Sequence, residues 1–109
     1  MNTADCVLRY EGAANSSYDK KDGTKGTRYE GVFCSPDRMG DTIKDQYFII
    51  GFKGEDEQKQ FQATIPNKAV VRLSCWVNGR MYKNKDGGNS YFVGLTIREF
   101  KAMASNYIL

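Results

Sequence analysis

Histidine is missing from the 109 residues of this chain. It is the commonest general base and the commonest zinc ligand, so neither a Ser-His-Asp nor a Cys-His catalytic arrangement can be built from this chain alone. The sequence also lacks a Walker A loop, a glycine-rich dinucleotide fingerprint and a C-x-x-C pair. We therefore expect a protein that is not an enzyme and that uses neither a cofactor nor a metal ion.

Long apolar runs are missing as well. No stretch approaches the roughly 20 consecutive apolar residues that a membrane-spanning helix needs. The first ten residues have neither the basic nor the apolar region of a signal peptide. We therefore expect a cytoplasmic protein with no membrane partner.

Cysteine is scarce, with Cys6, Cys34 and Cys75 far apart in the sequence. An odd number without close spacing does not suit a disulfide framework. Each cysteine lies in an apolar run, where a free thiol behaves as a small hydrophobic side chain. We expect buried thiols, in preference to metal ligands or nucleophiles.

The length and the charge describe a small, mildly basic domain. We expect one domain over residues 1–109, with a core over about 5–101 and a C-terminal tail at 102–109. The 16 basic and 13 acidic residues give a formal net charge of +3. Between Asn78 and Lys101, five basic residues stand against two acidic ones, so positive charge is concentrated in the second half.

Short apolar and aromatic runs alternate with glycine-bearing, charged turns, which is typical of a small barrel. Five strands are predicted, at Cys6–Tyr10, Thr27–Cys34, Gln46–Lys53, Ala69–Tyr82 and Ser90–Phe100. A polar loop with a turn at Asp22-Gly23 precedes the second strand, Ser35-Pro36-Asp37 should end it, and Arg38 to Asp45 should form a loop. The apolar run Tyr47–Ile50 predicts a third strand that is covered on much of both faces.

A short helix of one or two turns is predicted within Gly54–Thr64, because acidic residues begin this segment. The predicted order is therefore three strands, a helix and two strands. An OB fold is a five-stranded barrel, and this order of elements matches it. The fold class is accordingly mainly β, a five-stranded OB-fold barrel with one short helix between strands 3 and 4.

The fourth strand has two faces of different character. Alternate residues point to opposite faces of a strand. One set is apolar and should join the core with its counterpart on the fifth strand: Val71, Leu73, Cys75, Val77, Val93, Leu95 and Ile97. The other set is aromatic and basic: Arg72, Trp76, Arg80 and Tyr82. We also assign Phe33, Phe48 and Phe61 to the core.

The aromatic and basic face suits a single-stranded nucleic acid, because cations track phosphates and aromatic rings stack on bases. Lys83 and Lys85 at the hairpin tip, Arg28 in the second strand and Arg98 in the fifth add basic candidates. Two alternatives stay open: Trp76 also suits packing in a protein interface, and the lysines between Lys20 and Lys25 alternate with aspartates as in a solvated loop. The scattered carboxylates Asp41, Asp45, Glu55 and Asp56 are interpreted as solvated rather than catalytic.

The second half of the chain, from Tyr47 to about Ile97, resembles the bacterial single-stranded DNA-binding proteins of the SSB type. The resemblance rests on the run VVRLSCWVNGRMYKNKDGGNSY at Val70–Tyr91 and on YFIIGFK at Tyr47–Lys53. The filamentous-phage gene V type is similar in a looser way, including a basic first hairpin comparable to Lys20–Tyr29. The resemblance implies an OB fold, single-stranded DNA bound by stacking, and self-association into homodimers or homotetramers.

The same resemblance implies three base-stacking residues, namely Tyr82 near the hairpin tip, Phe52 at the end of the third strand and Tyr47 at its start. It points to a non-specific single-stranded DNA-binding protein of replication, recombination or repair, with RNA left open as a ligand. The sequence stops at Leu109 without the acidic tail of the family, which favours a phage or mobile-element version. The alternative is an OB-fold protein-interaction module, such as a primosome-like adaptor or a phage-encoded inhibitor.

Overall fold

The fold was obtained as a computed structural model, which describes residues 2–39 and 42–109. The elements of these residues are β1 (Asn2–Ala13), β2 (Ser16–Asp19), β3 (Lys25–Arg28), β4 (Glu30–Met39), β5 (Thr42–Gly51), α1 (Glu55–Thr64), β6 (Val70–Lys83) and β7 (Asn89–Ala102). A closed barrel has the strand order β1-β4-β5-β7-β6, and β2 with β3 forms a separate two-stranded sheet. The predicted five-stranded barrel, with its helix between the third and fourth barrel strands, is confirmed.

Aromatic side chains fill the barrel interior. Phe61 of α1 is fully buried, with its ring centroid 5.0 Å from that of Tyr10 and 5.9 Å from that of Phe33. Edge-to-face contacts of this kind add to the free energy gained by burying the rings. The assignment of Phe33 and Phe61 to the core is confirmed, and the helix is held on the barrel by Phe61.

The predicted core face of β6 and β7 is confirmed only as far as the barrel extends. Val71, Leu73, Cys75 and Ile97 are buried, and Val77 and Leu95 are half-buried. Val93 is 69% exposed, so its placement in the core was wrong. The reason is that β5 pairs with β7 only at Gly51 and Thr96, whereas β6 and β7 continue together to Lys83 and Asn89. We call this projecting part of the hairpin, residues 78–94, the β6–β7 arm.

A long hairpin replaces the loop predicted around Pro36. β4 and β5 stay in register from Glu30 opposite Gly51 to Met39 opposite Thr42. The predicted break at Ser35-Pro36-Asp37 and loop at Arg38–Asp45 are therefore wrong, except for 40–41, which lie outside the described residues. Among the described residues, β1 pairs with β4 no further than Cys34, so no described strand pairs with β4 at Pro36 on the side away from β5. A proline is tolerated there because no ladder partner needs its missing N–H.

β5 is less covered than its apolar sequence predicts. Tyr47, Phe48 and Ile49 are exposed, and only Ile50 of this run is buried. The assignment of Phe48 to the core was therefore wrong. The prediction that this strand is covered on much of both faces was also wrong. β5 meets its second neighbour, β7, only at Gly51, so the earlier part of the strand has no second neighbour that would cover it.

The helix occupies the predicted position but has ten residues, which is longer than one or two turns. Glu55, Asp56 and Glu57 form its first turn, where negative charge interacts favourably with the helix dipole. Lys59 adds an ion pair with Glu55 at 3.1 Å. Within the described residues, no helix is long and apolar enough to cross a membrane.

The polar segment before β4 forms an additional hairpin that the sequence did not predict, and the predicted single strand Thr27–Cys34 is divided at Tyr29 between β3 and β4. β2 and β3 pair with Tyr18 opposite Gly26. The Tyr18 ring lies on Gly26 so closely that an added Cβ would be 2.4 Å from its Cζ atom. The predicted turn at Asp22-Gly23 is present, with Gly23 at a φ of 84°. Glycine at position 26 is therefore needed to seat the tyrosine ring.

Candidate nucleic-acid interface

A groove separates the β2–β3 hairpin from the outer face of β6 and β7. Its volume is about 350 Å³, and its lining includes Arg28 of β3, Arg80 of β6 and Phe92 of β7. A wider cavity of about 720 Å³ shares these three residues and continues past Ile49 and Val93. We call the two together the hairpin groove. Together the two cavities reach from Tyr18 of β2 to Ile49 of β5 and Val93 of β7, which gives room for a linear ligand.

The strand register brings a cation and an aromatic ring together on the arm side of this groove. Arg80 is directly opposite Phe92 in the β6–β7 ladder, and Asn78 is opposite Gly94. Phe92 is 56% exposed. Its ring lies over Gly94, where an added Cβ would be 3.2 Å from the Phe92 Cε1 atom. The glycine thus leaves room for the ring, which presents an aromatic surface beside Arg80.

The other wall of the groove carries a second pair of an aromatic ring and a cation. The Arg28 guanidinium carbon is 4.8 Å from the centroid of the Tyr18 ring. Such a contact orients the guanidinium while leaving its N–H groups free to donate to an anion. Lys25 forms an ion pair with Asp19 near the turn, so part of the charge of this hairpin is neutralised within it.

The charge of the hairpin groove is positive. Arg28, Lys53 and Arg80 line it, against Glu30. Side chains with fixed positive charge attract phosphates, and association of this kind weakens as salt rises. The groove therefore combines the two features of a single-strand binding channel, which are a cationic lining and exposed aromatic rings.

The arm extends the same features beyond the groove. Tyr82 is exposed and lies two residues after Arg80 on the same face of β6. Lys83 and Lys85 are exposed at the tip, where the Asn84 N–H donates to the Gly88 carbonyl at 2.7 Å. A ligand that leaves the groove along the arm would meet a tyrosine ring and then two ammonium groups.

Three of the predicted site residues lie elsewhere. Arg72 and Arg98 line a separate groove of about 290 Å³ that also contains Asp5 and Glu99. Arg98 covers Trp76, with its guanidinium carbon 5.3 Å from the ring. The Arg98 Nε–H donates to the Ser74 Oγ atom at 3.3 Å. The alternating pattern placed these residues on the outer face, but the second groove has mixed charge, and Trp76 is half-buried beneath Arg98.

The two stacking residues expected on the third strand differ in their placement. Tyr47 is exposed on β5, and its hydroxyl donates to the Asp45 carboxylate at 3.5 Å. Phe52 is only 8% exposed, and its ring centroid is 5.2 Å from that of Phe61. Phe52 is therefore a core residue that also lines the hairpin groove, and its role in stacking on a base stays a prediction. Packing against Phe61 of the helix decides the burial of Phe52. The strand pattern carries no information about that contact.

Phe92 and Lys53 were not among the predicted site residues, although Phe92 carried a detectable signal. It belongs to the same alternating set as Thr96 on the fifth strand, and the hairpin tip at 84–88 fixes which β6 residue it faces. That pairing makes it the neighbour of Arg80. No local pattern distinguishes Lys53, because its place in the groove depends on how β5 meets the hairpin.

In the described part of the chain, no group of three His, Cys, Asp or Glu side chains is arranged to hold a metal ion. Asp45, Glu55 and Asp56 are exposed, and Asp41 lies outside the described residues. Cys34 and Cys75 are buried as predicted, while Cys6 is half-buried and all three are free thiols.

No protein-family model matches the sequence, and no curated protein is significantly similar to it. Solved structures do share its fold. Rim1, a mitochondrial single-stranded DNA-binding protein from S. cerevisiae, aligns with a TM-score of 0.64 at 12% identity over 96% of this chain and 97% of its own. The Plasmodium falciparum SSB, solved in complex with single-stranded DNA, aligns with a TM-score of 0.55 at 9% identity over 93% and 91%.

This chain has an OB fold. The closed five-stranded barrel and the near-complete coverage of both neighbours establish it. In OB folds, the loops between strands 1 and 2 and between strands 4 and 5 bind oligonucleotides and oligosaccharides. The β2–β3 hairpin and the β6–β7 arm occupy these two connections of the barrel, and the hairpin groove lies between them.

Proposed function

We propose that this protein binds single-stranded DNA without sequence preference, along the hairpin groove. The observation that carries the proposal is the convergence of Arg28 and Arg80, from two separate hairpins, on a groove that also exposes the Phe92 ring. The OB fold shared with proteins that bind single-stranded DNA supports it. The proposed function is binding, with no chemical step.

In this mechanism the two kinds of side chain act on different parts of the ligand. Arg28, Lys53 and Arg80 contact phosphates, which releases counterions and supplies a salt-dependent part of the binding free energy. The Phe92 and Tyr82 rings stack on bases, at about 1–3 kcal/mol for each base. Every base has a π-face, so stacking favours no sequence. A duplex hides those faces and should therefore compete poorly.

The direct test is a titration of a fluorescently labelled dT oligomer, followed by anisotropy at several salt concentrations. Single-strand binding should fall with salt at a slope of about −0.7 per phosphate contacted, so about four contacts give a slope near −3. Tyr82→Ala should weaken binding and keep the slope, whereas Lys83→Ala with Lys85→Ala should reduce the slope. If the parent fails to bind at low salt and a protein ligand saturates the same groove, the protein-interaction function is the correct one.

We also propose that the chain forms homodimers or homotetramers. Among the described strand pairings, residues 2–8 of β1 pair with β6 and not with β4, which joins β1 from Arg9 onward. An unpaired strand edge of this kind invites pairing with another chain, and the exposed Tyr47 and Ile49 add apolar surface. Light scattering should give a mass of two or four times the 12.3 kDa of one chain. A strict monomer at high micromolar concentration would refute self-association.

The biological setting that fits this function is DNA replication, recombination or repair in the cytoplasm. The protein would be encoded by a phage or another mobile element. A binder without sequence preference protects exposed single strands wherever they arise. RNA shares the phosphates and the base faces, so a dT oligomer and a U oligomer of equal length should be compared. A marked preference for the U oligomer would move the proposed ligand from DNA to RNA.

A further inference from the structure

The β2–β3 hairpin depends on its base for its orientation. It forms a two-stranded sheet of its own, and none of the described strand pairings joins it to the barrel. An isolated two-stranded hairpin is marginally stable in water. Yet Arg28 and Tyr18 on this hairpin must face Arg80 and Phe92 for the groove to exist. Some contact at the base must therefore fix the angle between hairpin and barrel.

A buried amide from the helix occupies this base. Gln58 of α1 is a polar residue that is only 4% exposed. Its Nε2 atom donates to the Asn15 Oδ1 atom at 2.6 Å and to the Glu30 carbonyl at 3.1 Å. The Asn15 Nδ2 atom donates back to the Gln58 Oε1 atom at 3.3 Å. Asn15 precedes β2 and Glu30 follows β3, so one side chain holds both ends of the hairpin.

The chain itself closes the same base. The Ala14 N–H donates to the Glu30 carbonyl at 2.9 Å, and the Glu30 N–H donates to the Asn15 Oδ1 atom at 3.2 Å. A buried amide without partners would cost free energy, whereas a fully bonded one specifies a single arrangement. Tyr29 adds a weaker tie, since its hydroxyl donates to the Glu55 carboxylate at 3.3 Å.

We propose that Gln58, through Asn15, is a positioning residue for nucleic-acid binding. It touches no ligand but sets the β2–β3 hairpin at the angle at which Arg28 completes the hairpin groove. The expected effect of Gln58 on DNA binding rests on the proposed function. The structural part of the proposal, that Gln58 ties the helix to the base of the hairpin at Asn15 and Glu30, stands on the hydrogen bonds alone.

The test compares Gln58→Met with Gln62→Met. Both residues lie on α1 one turn apart, and the Gln62 Nε2 atom donates to the buried Tyr10 hydroxyl at 3.4 Å instead of to the hairpin. Amide hydrogen exchange should become faster in residues 14–30 of Gln58→Met and stay unchanged in β6 and β7. Gln62→Met should leave residues 14–30 unchanged. Uniform acceleration across the barrel, or none in the hairpin, would overturn the proposal.

Binding gives the second readout, through a double-mutant cycle on a labelled dT oligomer. In the parent, Arg28→Ala and Arg80→Ala should each raise Kd by about 2- to 10-fold, as expected for losing one contact. In Gln58→Met, Arg28→Ala should raise Kd by less than about 2-fold, because a displaced hairpin already forfeits that contact. Arg80→Ala should keep its full effect. Equal effects of both arginine variants in both backgrounds would refute a positioning role.

Asn15→Ala provides a variant that will fold, since Asn15 is exposed while Gln58 is buried. It removes both hydrogen bonds between Asn15 and Gln58 and the acceptor of the Glu30 N–H, and leaves the Gln58 bond to the Glu30 carbonyl. It should reproduce both the exchange pattern and the loss of coupling to Arg28. If the parent does not bind the oligomer, the proposed function fails while the exchange experiment still decides whether Gln58 holds the hairpin. If the parent binds and the coupling is absent, the positioning role fails alone.

Discussion

Arg80 of β6 lies directly opposite Phe92 of β7, so a guanidinium and an exposed aromatic ring are neighbours on the outer face of the arm. Neighbouring positions across a ladder are about 4.5–5.5 Å apart at Cβ, so the two side chains are available to the same stretch of a bound strand. The two contributions are separable, because only the arginine carries charge.

Phe92→Ala should weaken binding of a dT oligomer by about 1–3 kcal/mol and leave the salt dependence unchanged, because it removes stacking and no charge. Tyr91→Ala is the matched control. Tyr91 is adjacent, aromatic and exposed, but it lies opposite Met81 and is not among the residues that line the hairpin groove. Anisotropy titrations at several salt concentrations measure both quantities. Equal losses from Phe92→Ala and Tyr91→Ala would mean that the groove face is not the binding face.

Arg80→Ala and Arg72→Ala distinguish the two grooves. Arg80 lines the hairpin groove, and Arg72 lines the mixed-charge groove with Asp5 and Glu99. Removing one phosphate contact reduces the slope of log K against log salt by about 0.7. We expect that reduction for Arg80→Ala and a much smaller one for Arg72→Ala. The reverse order would place the DNA across Trp76 and Arg98.

The alternation of β6 made its buried and exposed faces predictable. Side chains alternate strictly along a strand, so Val71, Leu73 and Cys75 could be separated from Arg72 and Arg80 without any structure. The alternation does not reveal where the barrel ends. Val93 continues the apolar set but projects beyond β5, and this depends on contacts between strands distant in sequence.

Contacts with remote segments also explain the other differences. Phe52 is buried because Phe61 of α1 packs against it, and a strand pattern contains no information about that helix. Pro36 did not end its strand because no described strand pairs with that edge of β4. The sequence predicts part of the composition of the hairpin groove, namely Arg28 and Arg80. It does not predict the shape of the groove, because the position of the β2–β3 hairpin depends on hydrogen bonds from Gln58 of α1.

Glu11→Gln should lower the free energy of unfolding by about 1–2 kcal/mol at neutral pH. Hydrogen bonds to charged groups contribute about 1.5–3 kcal/mol, and the exposure of Arg9 and Lys68 reduces that contribution. The Glu11 side chain is 8% exposed, accepts from Arg9 at 2.8 Å and also pairs with Lys68. Asp19→Asn is the control, since its ion pair with Lys25 is exposed on both sides, and it should change little. Urea unfolding measures both variants.

The pH dependence of that deficit has a definite sign. Lys68 first, and then Arg9, hold the pKa of the Glu11 carboxyl below its ordinary value of 4.5, although burial opposes them. A lowered pKa in the folded state stabilises the fold above pH 4.5, and this contribution is lost as the pH falls through the folded-state value. The difference between parent and Glu11→Gln should therefore shrink in acid. A constant difference from neutral to acid pH would show that the charge of Glu11 is not its cause.

Cys6 should be the most reactive thiol near neutral pH. Cys6 on β1 lies one diagonal step from Cys75 on β6, since Cys6 is opposite Leu73 and Ala4 is opposite Cys75. A hydrogen bond from the Cys75 thiol lowers the pKa of Cys6 to about 7, against the opposing effects of burial and of the Asp5 charge. The same contact raises the pKa of Cys75, which keeps its proton and serves as the donor.

The rate at which iodoacetamide alkylates Cys6 should consequently rise with pH to a midpoint of about 7, because the thiolate is the nucleophile. Cys75→Ala removes the donor but leaves the burial and Asp5, so the midpoint should move up towards or beyond the ordinary value of 9.0. Cys34→Ala is the control, because Cys34 is paired with Arg9 at 3.4 Å and not with Cys6, and it should leave the midpoint in place. Peptide mass spectrometry assigns the modified cysteine. A midpoint near 9 in the parent, or one that Cys75→Ala does not raise, would contradict a thiol–thiolate pair between β1 and β6.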